Sequence, residues 1–308
     1  MLLRIVRRKL LHHSILTKVQ MFLAEANKAS VEVSDELIEE FGNACKGAFK
    51  KQFTEKRQKE FSYRMSNIGK PLCQLQMEKS GAESEPLPYN FKMRNLFGDL
   101  IEASAITIMK ASGVEVKDIQ KKVKLKTEKE EISGTMDVKI GGKVWDIKSA
   151  SPWSFTNKFG DNGGFDSVAK DDNFGYVSQG YMYGEADKSD FAGWIVINKS
   201  TGEWCVTETP EQDEEYRKTA VTIAKNNIKA LEEDKPFERC FEDTEEFFYK
   251  KPTGNRVLGL TCSFCPFKRA CWGEELQYLP QQQSKGKYPK WVWYTKVNNP
   301  REDNDYKE

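Results

Sequence analysis

The chain has 308 residues, 38% hydrophobic and 31% charged, with 48 Lys and Arg against 47 Asp and Glu for a formal net charge of +1. That is apolar material for one sizeable core with appendages or two small ones, and the near-zero balance excludes reading a partner from whole-chain charge. No apolar stretch approaches the roughly 20 residues needed to span a bilayer as a helix, which excludes a helical membrane protein.

In chain order, the first residues, MLLRIVRRKLLHH, are broken by Arg4, Arg7, Arg8 and Lys9, which argues against a signal-peptide core. The lack of acidic residues before Glu25 leaves a mitochondrial presequence, and hence the matrix, open. A basic amphipathic helix in a cytoplasmic protein is the simpler reading. Residues 14–64 read as helical, with Ser34 an N-cap and Leu37, Phe41, Ala44, Cys45, Ala48 and Phe49 at helical spacing. Lys46, Lys50, Lys51, Lys56, Arg57, Lys59 and Arg64 crowd this segment, and a second basic run covers 117–126. The acidic residues collect elsewhere, at 208–215, 232–246 and in the tail. Such separation can line a basic groove on a neutral protein, although solvated helix faces explain either run alone equally well.

After a turn-rich break at 81–88, residues 95–113 predict an apolar helix closed by Gly113. Residues 132–150 predict a β-hairpin, with Val138, Ile140, Val144 and Ile147 alternating with polar residues about Gly141-Gly142. A Gly-, Asp- and Asn-rich loop is expected over 151–173, then a helix over 174–185, strands at 193–199 and 203–207, a helix over 211–233, and a loosely structured tail from Gln281.

A two-residue turn at Gly141-Gly142 would pair Ile140 with Lys143 and Val138 with Trp145, so Asp137 falls opposite Asp146. Opposed side chains share one face, roughly 4.5–5.5 Å apart at Cβ, and Lys148, two residues on, points the same way. Two acids and a lysine thus converge, while Val138, Ile140, Trp145 and Ile147 face a core. Oxygen ligands of this kind suit a hard divalent cation, with Lys148 stabilising charge on a phosphate. The bland alternative is an exposed hairpin carrying a cross-strand salt bridge.

Asp137 followed by Asp146-Ile147-Lys148 resembles the signature of the PD-(D/E)XK nuclease superfamily, with Asp where many members have Glu as the second acid. Upstream, Gly98-Asp99-Leu100-Ile101-Glu102 resembles the helical G-x-x-x-(H/E) element of its RecB-like branch, and downstream Gln179-x-x-x-Tyr183 resembles that branch's Q-x-x-x-Y motif. The resemblance implies metal ligands at Glu102, Asp137, Asp146 and Ile147, with Asp99 competing with Glu102, and catalytic or bracing roles for Lys148, Gln179 and Tyr183. Lys199 is a weaker phosphate-binding candidate. With no His beyond His12 and His13, the site would be all-oxygen, taking Mg²⁺ or Mn²⁺.

The seven cysteines are odd in number and not spaced as a small secreted disulfide framework, so a reducing compartment fits better. Cys262, Cys265 and Cys271, with Pro266 stiffening the turn, can wrap one thiolate-bound centre, Zn²⁺ or an iron–sulfur cluster. Spacing alone leaves the fourth ligand open among Cys73, Cys240, Cys205 and Cys45. The run is similar to that of CRISPR-adaptation RecB-like nucleases and the AddB nuclease domain, which implies Cys73 and a [4Fe–4S] cluster.

The expected fold is therefore α/β: a central mixed sheet flanked by helices, of the restriction-endonuclease-like kind, with an iron–sulfur clamp. The expected organisation is a helical, basic region over 1–70, the nuclease domain over 71–275 and a tail over 276–308. The expected activity is Mg²⁺-dependent exonuclease action on single-stranded DNA or duplex ends, in recombination, repair or phage DNA metabolism, alongside a helicase or recombinase. A catalytically silent nucleic-acid-binding protein of the same fold and a zinc-binding interaction module are the alternatives.

Overall fold

Gly141 and Gly142 both take left-handed backbone, at φ +59° and +79°, which turns the chain tightly with the twist that adjoining strands favour. The turn joins β4 (Val138–Ile140) to β5 (Lys143–Ala150), paired Val138 to Trp145 and Ile140 to Lys143, in the expected register. The computed structural model describes residues 15–55, 60–127, 129–170 and 172–301. Expectations placed on His12, His13, Lys56, Arg57, Lys59 and the end of the tail lie outside these.

The chain divides into two units, one comprising residues up to Gly69 with Pro88–Lys229, the other Lys70–Leu87 with Ala230 onward. The first holds a five-stranded mixed sheet in the order β1 (Val116–Lys117), β4, β5, β6 (Phe191–Asn198), β7 (Trp204–Glu208). Only β5 and β6 run parallel; the other neighbours are antiparallel. All eight residues of β6 are buried, as befits a central strand covered on both faces. A separate ribbon pairs β2 (Lys121–Lys126) with β3 (Glu131–Met136).

One sheet face packs Val138, Trp145, Ile147, Ile195 and Ile197 against Val19 of the Ile15–Ala26 helix and Ala105 and Met109 of the Phe91–Ala111 helix. The Tyr176–Asp187 helix packs against β5 and β6 as well. It comes in close because Gly180 has no side chain: a Cβ there would lie 2.3 Å from the Phe191 ring. Residues 14–64 are not one helix. The chain breaks after Ala26 and restarts at Asp35–Phe53, capped by Ser34, whose side chain accepts from Leu37 N at 3.3 Å. The expected loop over 151–173 contains short helical turns at Pro152–Ser154, Phe155–Phe159 and Phe165–Lys170, too brief to show a periodic pattern.

The second unit carries an antiparallel sheet in the order β10 (Gln277–Pro280), β11 (Trp291–Lys296), β9 (Lys251–Val257), β8 (Thr244–Phe248). The tail expected to be loose thus supplies an inner strand. Its partners are β10, one loop earlier in the chain, and the more remote β9, and a buried polar network secures it. Glu246 accepts from Tyr294 Oη at 2.5 Å, Thr253 Oγ1 at 2.8 Å and Asn255 Nδ2 at 3.0 Å, and Asn255 Oδ1 accepts from Asn298 N and Asn299 N at 2.9 Å each. Among the described residues, no helix is long and apolar enough to cross a membrane.

Candidate active site

The hairpin register carries Asp137 and Asp146 to one face, and burial decides against a merely exposed salt bridge. Asp146 is 2% exposed. Lys148 Nζ donates to Asp146 Oδ1 at 2.9 Å and lies 2.7 Å from Oδ2, which has no donor aligned to it. Asp137 Oδ2 accepts from Ile147 N at 2.7 Å. Ile147 keeps its side chain in the core, so only its main chain can serve the centre.

Glu102 joins from the Phe91–Ala111 helix, where Gln120 Nε2 donates to its Oε1 and also reaches Asp137 Oδ1 at 3.4 Å. Asp99, the competing ligand, is engaged otherwise. Its two oxygens accept from Lys51 Nζ at 2.9 Å and Gln52 Nε2 at 2.6 Å, both from the Asp35–Phe53 helix.

The Tyr176–Asp187 helix covers the lysine. Gln179 Oε1 accepts from Lys148 Nζ at 3.5 Å, and Gln179 Nε2 donates to Tyr183 Oη at 2.9 Å, the i and i+4 spacing placing both on one helix face. Tyr183 is 3% exposed, so it braces Gln179 rather than meeting solvent. Lys148 Nζ also sits 4.8 Å from the Tyr176 ring centre, a cation–π contact. Asp172 fixes the start of this helix by accepting from Tyr176 N at 2.7 Å and Val177 N at 2.9 Å. Lys199 stands exposed just past the end of β6.

Three acids so close and so poorly hydrated resist ionisation together. Burial, then Asp146, pushes Glu102 up to about 7. Burial, then Asp146 and Glu102, holds the Asp137 carboxyl well above the usual range, and burial raises Asp146 against the pull of Lys148. For Lys148, burial disfavours the ammonium, but Asp146 and Asp137 outweigh it and keep the group charged.

This donor set fits a hard divalent cation: all-oxygen, mutually repelling and backed by one fixed ammonium. Among the described residues, no three His, Cys, Asp or Glu side chains close around one point as they stand. Between Glu102 and Asp137 the Gln120 amide bridges the gap, and beside Asp146 the Lys148 ammonium does.

In the second unit Cys73 N donates to Cys240 Sγ at 3.1 Å. The two side chains also lie against each other, and the proximity of Cys73 brings Cys240 down to about 6 while Cys240 pushes Cys73 up. Burial, then Cys265 and Cys271, raises Cys262 to about 11, and Cys240 is felt by both Cys262 and Cys271. Arg239 donates to the Cys271 carbonyl at 2.9 and 3.2 Å and lies 4.4 Å from the Trp272 ring centre. Cys73, Cys240, Cys262, Cys265 and Cys271 are thus neighbours in this unit, although among the described residues no three of them close around one point.

Sequence reasoning missed Gln120, Tyr176 and the Lys51–Gln52 pair, which belong to no motif and reach the centre only through tertiary packing. The left-handed backbone at Gln120 leaves no readable mark in sequence.

No family model matches the chain, and no curated protein does. Among solved structures it is similar to SSO0001, at 12% identity and a TM-score of 0.39 over 75% of this chain and 95% of that one. It is also similar to a candidate exonuclease from Eubacterium rectale, at 15% identity and a TM-score of 0.36 over 68% of this chain and 90% of that one. At these values neither likeness transfers a fold or an activity.

Proposed function

We propose that this chain is a divalent-metal-dependent nuclease with a restriction-endonuclease-like core of the RecB-like kind, acting on the ends of DNA. The observation that carries the reading is the pairing of buried Asp146 with half-buried Asp137, brought face to face beside Lys148 and Glu102 at a mixed sheet. Buried acids of this density are an expensive arrangement for stability alone, and perturbed carboxylates beside a fixed ammonium mark a functional site.

In this reading Glu102, Asp137, Asp146 and the main chain of Ile147 hold Mg²⁺ or Mn²⁺. When bound, the ion neutralises charge on the phosphodiester and acidifies water for attack on phosphorus. Lys148, kept protonated by Asp146 and aimed by Gln179 and Tyr176, presents its ammonium to the incoming water and the phosphate oxygens, where negative charge grows in the transition state. Tyr183 holds the Gln179 amide in the orientation that leaves Oε1 toward the lysine. The cysteines belong to the same reading as a structural [4Fe–4S] centre on Cys73, Cys262, Cys265 and Cys271, with Zn²⁺ the alternative.

The test is digestion of end-labelled single- and double-stranded DNA, with 5′ or 3′ blocks, with and without Mg²⁺. Mg²⁺-dependent loss of label, sensitive to a block and absent in Asp146→Ala, is expected. Cleavage of closed circular single strands would remove the end-dependent part of the reading. Binding without cleavage would favour the silent DNA-binding alternative.

A further inference from the structure

Gln120 lies between β1 and β2 with φ +50°, a left-handed backbone in which a non-glycine residue is uncommon and often tied to a site. The strain is held from several sides. Gln120 N donates to the Asp137 carbonyl at 2.9 Å. The next residue, Lys121, is anchored by Asp187 at 2.7 Å and Asp118 at 3.2 Å. From this post the side-chain amide nitrogen bridges Glu102 and Asp137, two carboxylates from different elements, while the residue as a whole stays exposed.

A primary amide is planar and two-sided: its NH₂ donates, and its oxygen is a hard acceptor of the kind Mg²⁺ and Mn²⁺ take. Facing two carboxylates with no cation between them, the NH₂ edge is the stable choice. With a cation between them that edge is repelled, and a half-turn about the last side-chain torsion brings Oε1 to the ion with the backbone unmoved. Resting on the metal-dependent nuclease reading, we propose that Gln120 is a further residue of the metal centre. It keeps Glu102 and Asp137 in register before the ion arrives and gives the ion its side-chain oxygen afterward.

The test is Mn²⁺ binding to the full chain, followed by the electron paramagnetic resonance of free Mn²⁺, alongside thermal melts of the metal-free proteins. Wild type is compared with Gln120→Gly and Gln120→Glu, and Asp146→Asn identifies binding at this centre. Gln120→Gly is expected to weaken Mn²⁺ binding about tenfold, within the range for residues supporting a metal site. Its metal-free melting temperature should be unchanged or higher, because glycine takes the left-handed backbone freely. Gln120→Glu should bind Mn²⁺ at least as tightly as wild type yet melt lower without metal, since it adds a fourth acid. A Gln120→Gly protein that binds Mn²⁺ as tightly as wild type would overturn the proposal, leaving the amide a mere plug. No Mn²⁺ binding by wild type at the Asp146-dependent site would instead bring down the nuclease reading and this inference with it.

Discussion

Lys148 is the residue on which the charge balance of the centre turns. It is the nearest cation to Asp146, its side chain is 19% exposed, and Asp146 beside it is 2% exposed. Removing one partner of such a pair leaves buried charge uncompensated, which costs about 3–5 kcal/mol. Lys148→Met is therefore expected to lower the unfolding free energy of the metal-free protein by that order at neutral pH, read from urea titration. It should also slow DNA hydrolysis by roughly 10²–10³-fold, the scale for losing one stabilising donor. A stability change below about 1 kcal/mol, typical of exposed pairs, would show that the lysine is only loosely coupled to the acids. At this scale the sequence was legible in part. Asp137, Asp146 and Lys148 follow from the two-residue turn and the period of a strand. That Asp99 turns to Lys51 and Gln52 while Glu102 turns inward depended on a neighbouring helix roughly 50 residues away in sequence, which no local pattern reports.

The elements around the centre are tied by a further acid whose side chain is buried. Asp187, at the end of the Tyr176–Asp187 helix, accepts from Lys121 at 2.7 Å, Lys139 at 2.5 Å and Ser189 at 2.7 Å, with its side chain 2% exposed. It thereby holds β2 and β4 to that helix. Burial opposes its ionisation, yet these hydrogen bonds prevail and bring it down to about 2. A carboxyl depressed on folding stabilises the protein above its unfolded value, about 4, and that contribution is lost as pH falls toward about 2. Asp187→Asn should lower stability by about 1–3 kcal/mol at pH 7. The difference from wild type should shrink between about pH 4 and pH 2 when unfolding is followed across that range. A difference constant through the window would mean that the contacts act by shape rather than charge. The helix itself announced its length in the sequence, but not its partners.

At the scale of the whole molecule, Cys73 and Cys240 belong to the same unit as Cys262, Cys265 and Cys271, although 167 positions separate the first two. A centre on these thiols would close a long loop, restricting the unfolded chain and adding its binding energy to folding. Anaerobically purified protein is expected to be brown and to contain iron. Cys73→Ser and Cys262→Ser should lose that iron and melt at lower temperature, while Cys240→Ser should keep it. The reverse result for Cys73 and Cys240 would hand the fourth position to Cys240, and zinc in place of iron would make the centre a zinc knuckle.

What the sequence determined unaided was local: the glycine turn, the alternation that sorts acids from core residues along two short strands, the Ser34 cap and the thiol spacing of the cysteine run. These depend on backbone geometry that repeats within a few residues. The tertiary structure alone decided that Glu102 rather than Asp99 turns toward the aspartate pair, that Gln120 bridges two of the acids, that Cys240 lies beside Cys73, and that the tail is an inner strand. Each of these is a contact between segments far apart in the chain, set by how whole faces pack, and burial of the acids is a property of that packing rather than of any residue in it.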